Sequence, residues 1–266
     1  MIRRRTSGVV RAVLVLWACA TSAQDAKPRT IHVFVALADN QHQGIVPVAP
    51  VLGNGEDGEH NLYWGSAYGV KTFFSRSAEW VRLGCDQNPK PAILERCIFK
   101  YRSTNVYLIA DAYRGIEIKQ AIVDFLDSAR GRSADTVAMR LQPAGTVVDV
   151  PAHGGATLVA YIGHDGLMDF QLPQYSKQKD GAHRQAIVLA CSSKQFFGEA
   201  IRASGAYPLL WTTGLMAPEA YTLKAALEGW IAGEDQQQIR DRAAAAYDKY
   251  QKCGFKAAHR LLTSGW

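Results

Sequence analysis

The sequence predicts an α/β protein, a three-layer αβα sandwich on a mostly parallel sheet. Three observations carry this. Short apolar runs of strand length alternate with amphipathic helical patterns, as βαβ units require. The runs at 157–162 (TLVAYI) and 186–190 (AIVLA) are apolar throughout, the pattern of strands buried on both faces. No internal repeat, low-complexity segment or evident boundary breaks the alternation, so residues 24–266 are expected to form a single domain.

The elements follow in order. Residues 31–38 (IHVFVALA) are the first strand, and it runs into the polar cluster 39–44. The proline-bearing segment 45–60 reads as a long loop. Its Glu56, Asp57, Glu59 and His60 match no EF-hand spacing and are expected to be a solvated acidic face. Residues 61–78 read as a helix, with Gly65 and Gly69 allowing close packing on the sheet. Strands at 93–100 and 105–112 come next, then an amphipathic helix over 116–129. Its expected buried stripe is Ile116, Ile118, Ile122, Phe125 and Leu126. A polar stretch, 130–140, and a short apolar piece, 147–150, lead to the 157–162 strand. After the 186–190 strand come a helix at 194–203, a strand at 208–213 and a helix at 217–232. Pro218 sits in that helix's first turn and Gly233 beyond its end. The tail, 235–262, is one or two helices, with a break expected near Gly254.

The N-terminus has the three parts of a secretory signal in residues 1–23. Arg3, Arg4 and Arg5 are basic, 9–18 is apolar apart from Arg11, and the exit Ala20-Thr21-Ser22-Ala23 is small. Cleavage near Ala23 implies a periplasmic or secreted protein. A lipoprotein anchored at Cys19 is the alternative, which Trp17 fits poorly. Much of the net charge of +6 then leaves with the signal, arguing against a nucleic-acid partner. No later segment is long and apolar enough to insert in a membrane.

In an oxidising compartment the remaining cysteines favour disulfides. Cys85 and Cys97 flank 86–96, read as a loop whose prolines suit a short stapled excursion, and are expected to pair. Cys191 and Cys253 are then left either to form a second bridge or to stay apart.

The second alternative matters because the 157–162 run is followed by His164 and the 186–190 run by Cys191. Ligands of parallel sheets bind beyond the carboxyl ends of the strands. If the two strands are neighbours, a thiol and an imidazole meet there, the parts of a cysteine nucleophile with its base. The bland reading is a buried or bridged thiol and a hydrogen-bonded histidine at a strand end. The His153-Gly154-Gly155 motif resembles an esterase oxyanion loop, but no G-x-S-x-G elbow occurs, so it reads as a turn. His42, His60, His153, His183 and His259 form no pair with zinc spacing, so neither a metal nor any other cofactor is expected.

The stretches YIGHDG (161–166) and LACSS (189–193) together resemble the caspase–hemoglobinase cysteine peptidases. That family includes caspases, legumain, clostripain, gingipains, separase and CHAT domains, and the motifs look most like the last two and the gingipains. The resemblance implies a caspase-like fold and an exported endopeptidase acting on a peptide or protein substrate. Cys191 would be the nucleophile and His164 the proton donor to the leaving amine. A backbone N–H just beyond the histidine would hold the oxyanion. The pocket would come from the end of the first strand, with Asp39, Gln41 and His42, and from the segment after the fifth, by position Trp211 and Thr212, with Asp39 binding a basic side chain. This chain has Asp165 where the family has glycine, with Gly166 one position later. Asp165 then either blocks the oxyanion site, leaves that role to a longer turn through Gly166, or orients His164. Some relatives need propeptide cleavage or calcium. The alternative is a catalytically inactive caspase-like envelope protein that binds or scaffolds.

Overall fold

A computed structural model describes residues 27–141, 145–175 and 177–266. The expected signal segment, with Cys19 and Ala23, lies outside them. The strands are β1 (Arg29–Ala36), β2 (Trp80–Lys90), β3 (Ile93–Tyr101), β4 (Val106–Tyr113), β5 (Asp135–Leu141), β6 (Thr146–Ala152), β7 (Leu158–Ile162), β8 (Gln185–Leu189), β9 (Tyr207–Thr212) and β10 (Leu262–Thr263). The helices are α1 (Val70–Ser75), α2 (Ile118–Ala129), α3 (Ser193–Ser204), α4 (Ala220–Ala232), α5 (Gln236–Gln251) and α6 (Phe255–Leu261).

Eight strands make one mixed, mostly parallel sheet in the order β10-β9-β8-β7-β1-β4-β3-β2. The run β9-β8-β7-β1-β4 is parallel, and β3, β2 and β10 are antiparallel to their neighbours. Both faces are covered, which is why β7 (LVAYI) and β8 (QAIVL) are apolar at nearly every position. Ile31, Val33 and Val35 of β1 face the layer of α1, α4 and α5, while Phe34 and Ala36 face α2 and α3. The expected α/β sandwich is therefore the observed architecture. No helix among the described residues is long and apolar enough to cross a membrane.

Helix α2 shows how the pattern becomes packing. Ile118, Ala121, Ile122, Phe125 and Ala129 recur every three or four residues and are buried. Phe125 sits 6.1 Å from Phe34 and 5.9 Å from Tyr161, ring to ring. Ile116 departs from the expected stripe: it precedes the helix and is 56% exposed.

Three other expectations need correction. Residues 61–69 are turns, and only α1 is helical in the expected helix 61–78. There the backbone folds onto itself: a Cβ on Gly65 would lie 2.1 Å from the Glu59 carbonyl, and one on Gly69 2.3 Å from that of Trp64. The segment between Cys85 and Cys97 is mostly strand, since β2 and β3 form an antiparallel hairpin with those cysteines directly opposed and bridged. The polar stretch 130–140 likewise contains β5, which pairs with β6.

Beneath the β5–β6 hairpin lies a buried charge network. Asp111 on β4 receives two hydrogen bonds from Arg96, each 2.6 Å, and a third from His32 Nε2 at 3.1 Å. His32 Nδ1 accepts the backbone N–H of His153 at 2.8 Å, and His153 Nδ1 bonds Asp135 at 2.7 Å. The guanidinium and imidazole hold the Asp111 carboxyl well below its usual range against the cost of burial. Burial lowers His32 to about 4, so its ring is neutral at pH 7. Replacing Asp111 by Asn leaves Arg96 without its counter-charge, and about 3–5 kcal/mol of stability should be lost on denaturant unfolding. A loss within 1 kcal/mol would contradict the pairing.

Candidate active site

The chain reverses its direction of sheet growth at β1, with β4 on one side and β7 on the other. Such a switch point opens a crevice beyond the strands' carboxyl ends. His164 and Cys191 leave the sheet at this edge. Strands β7 and β8 are parallel neighbours, with Ile162 opposite Leu189 as the last pair. His164 and Cys191 each follow two residues later, so they hold equivalent places on adjacent strands. The Gly163 N–H still reaches the Leu189 carbonyl at 3.3 Å. Gly163 is required here: its φ is +147°, and a Cβ would lie 2.8 Å from the Ala36 carbonyl.

Cys191 occupies a sharp strand-to-helix turn. Ser192 follows it in the left-handed conformation (φ 48°, ψ 33°) and starts α3. The turn is held by a buried hydroxyl pair. Ser193 Oγ donates to the Val188 carbonyl at 2.8 Å and accepts the Thr212 N–H at 3.0 Å, while Thr212 Oγ1 accepts the Ser193 N–H at 3.1 Å and donates to the Ala190 carbonyl. Thr212 is thus a strut under the turn, fully buried, and Trp211 is 1% exposed in the α2–α3 core layer. Neither reaches a ligand surface, because the expected pocket residues of β9 point into the sheet's packed layers.

The thiol itself is free, as is exposed Cys253, so no bridge joins the two. Cys191 Sγ accepts the Met216 N–H at 3.5 Å and faces the Met216 carbonyl at 3.7 Å. Buried Tyr63 stands close enough for the thiolate's charge to add to the main effect, burial, in raising its hydroxyl's pKa.

His164 is 8% exposed, and its Nε2 lies 2.6 Å from Asp169 Oδ2. The same oxygen accepts the Gly44 N–H at 3.1 Å, tying the loop after β1 to the histidine. Asp169 was not legible from the sequence. It follows the 3-10 turn Gly166–Met168, which folds it back over the ring. Among the described residues no hydrogen bond joins His164 to Cys191; each reactive group has another partner.

Asp165 does not orient His164. Its side chain turns inward, fully buried, and caps that 3-10 turn by accepting the Leu167 N–H at 3.1 Å. Its other oxygen is unpartnered. Burial, with the Asp169 charge adding, raises its carboxyl to about 7. The Gly166 N–H donates to the His164 carbonyl at 3.1 Å, so the turn already uses it. Gly166 is needed for packing: a Cβ would lie 2.8 Å from the Phe170 ring.

Asp39, Gln41 and His42 do come together, in a cavity of about 520 Å³ that Gly55, Glu56 and Ile116 also line. The Asp39 carboxylate is already committed. Oδ1 accepts the Gln41 and His42 N–H groups at 2.9 and 3.2 Å, and Oδ2 bonds His42 Nδ1 at 2.8 Å. A larger cavity of about 930 Å³ lies between residues 167–175 and α3, with Asp169, Phe170, Phe196 and Glu199 in its wall. Neither His164 nor Cys191 lines it, so it lies beside the reactive pair.

Donor atoms of His32, Asp111 and His153 lie within 4.8 Å of one another. Their hydrogen bonds are those of an ion-pair network. Since His32 Nδ1 accepts an N–H, the neutral ring carries its proton on Nε2, and both Asp111 oxygens are held by Arg96. In the second such group, Cys85, Glu95 and Cys97, the sulfurs are already joined.

Comparison with protein-family models, curated proteins and solved structures finds no match.

The geometry sets opposite pH dependences for two buried groups. Raised Asp165 binds its proton more tightly when folded, so its contribution is full below about 4 and is lost as pH rises towards 7. Depressed His32 does the reverse, its contribution falling as pH drops from 6.5 towards 4. Asp165→Asn removes only the first. Its stability relative to the parent should rise steadily between pH 4 and 7 in parallel unfolding titrations, and a pH-independent difference would contradict the buried carboxyl.

Proposed function

We propose that the protein is an exported caspase-like cysteine hydrolase that cleaves peptide bonds. The observation that carries this reading is the shared register: a free thiol and an imidazole leave adjacent parallel strands at equivalent positions, on the edge where such sheets bind ligands. The motif resemblance and the αβα architecture support it.

In this reading the Cys191 thiolate attacks the substrate carbonyl carbon, and the carbonyl π electrons move to oxygen. Collapse of that intermediate breaks the C–N bond, and protonated His164 gives its proton to the departing amine. The resulting thioester is hydrolysed by water, which passes one proton to His164 and its hydroxyl to the acyl carbon, releasing the acid and restoring the Cys191 thiolate beside protonated His164. Asp169 holds the ring through Nε2, which leaves Nδ1 for proton transfer. The Met216 N–H, aimed at the sulfur, fixes the thiol's direction.

A second reading, a binding or scaffolding protein with an idle dyad, is favoured by one observation. His164 is bonded to Asp169 and Cys191 to Met216, with no hydrogen bond between the two reactive groups. The readings separate on function. If the hydrolase reading holds, Cys191→Ala abolishes turnover of a peptide library while the unfolding transition stays intact. Asp169→Asn should then lower kcat at least tenfold with KM little changed. Equal turnover by parent and Cys191→Ala protein would leave the scaffold reading.

A further inference from the structure

The mechanism leaves one buried titratable group beside the reactive histidine unused. Asp165 is fully buried, and its Oδ2 makes no hydrogen bond among the described residues. The family that the motifs resemble has glycine here, yet the backbone does not require one, since φ is −78°. What the position gains is a side chain.

That side chain closes a turn. The four successive N–H groups of Leu167, Met168, Asp169 and Phe170 all point back along the chain. Leu167 donates to Asp165 Oδ1 at 3.1 Å and Met168 to the Asp165 carbonyl at 3.0 Å, while Asp169 and Phe170 both donate to the Gly166 carbonyl at 3.0 Å. The Leu167 bond is the one of the four made to a side chain. The turn it starts is the one that returns Asp169 to His164 Nε2, 2.6 Å away.

The surroundings of Asp165 disfavour a charge. Tyr161 faces it from β7 and Tyr175 from the segment after the turn. Burial raises both phenols, and the Asp165 charge adds to that, for Tyr175 after the charge of Glu199. Asp169 repels it from within the turn, and α2 and α3, which pack on the turn, bring it no cation. The Leu167 N–H favours the carboxylate, but burial outweighs it. A neutral Asp165 therefore keeps the Leu167 bond at no cost in buried charge, whereas an ionised one is relieved when the turn opens to water.

We propose that Asp165 is a positioning residue that sets Asp169 against His164: as the neutral acid it closes the turn, and as the carboxylate it loosens it. The catalytic consequence rests on the hydrolase reading; the turn's response to pH does not. Closure is favoured fully below about 4 and progressively less as pH rises towards 7.

Amide hydrogen exchange on the full mature chain follows the turn directly. Corrected for the intrinsic rate, protection of the Leu167 N–H should fall at least about tenfold between pH 5 and 7 in the parent and stay within about twofold in Asp165→Asn. Asp165→Ser, which keeps a capping oxygen and does not titrate there, takes its place should the asparagine variant not fold. Over the same range the kcat of the variant relative to the parent should rise at least about threefold, with KM little changed. Equal exchange profiles in parent and variant overturn the proposal, and so does a constant kcat ratio. Absence of peptide turnover by both proteins overturns the hydrolase reading instead, and the exchange profiles then uphold or overturn the turn's response by themselves.

Discussion

Two-sided burial of the central strands is the constraint on which everything else depends. With helices on both faces, β7 and β8 have no exposed surface along their length; all ten of their residues except Gln185 are fully buried. In these two strands polar chemistry is thereby confined to the ends. Parallel pairing then sends both ends to one edge, and the Ile162–Leu189 register brings His164 and Cys191 out at the same level. A shift of one residue would turn one side chain to the opposite face of the sheet.

The edge is stiffened from several directions. Asn61 closes the long loop after β1 by bonding both the N–H and the carbonyl of Ala38. Gln43 bridges the carbonyls of Leu37 and Gly115, joining the loops after β1 and β4. Ser193 and Thr212 lock the cysteine turn against β9. The loop of 33 residues between β1 and α1 is therefore an ordered lid on the strand ends, built mainly from backbone and amide hydrogen bonds. Asp165 departs from this satisfaction: one buried oxygen lacks a partner, and its negative charge is disfavoured at the foot of the histidine turn.

What was legible in the sequence follows from the same constraint. β1, β4, β7, β8 and β9 are apolar runs, and α2 has a clean helical stripe, so their existence and type could be read directly. β2 could not, because it is the sheet's edge: its residues are mostly exposed and include Pro89, which an edge strand tolerates. Residues 61–69 carry helix-compatible spacing, yet Gly65 and Gly69 fold the backbone against itself. Within the site, the Cys191–His164 pair and the Asp39–His42 cluster were visible as strand-end residues. Asp169 was hidden, since its contact depends on a 3-10 turn that no periodicity marks. Trp211 and Thr212 were misplaced because strand position alone does not tell which side chains the packing consumes.

The central claim is geometric: positions 164 and 191 stand side by side at one edge. A His164→Cys substitution, in a Cys253→Ala background, measures this directly. Bridged cysteines have Cα atoms within about 7 Å. Mild oxidation should join the introduced thiol to Cys191 in monomeric protein, seen as a two-hydrogen mass loss and one cross-linked peptide. Two thiols that remain titratable under conditions that preserve the Cys85–Cys97 bridge would contradict the account.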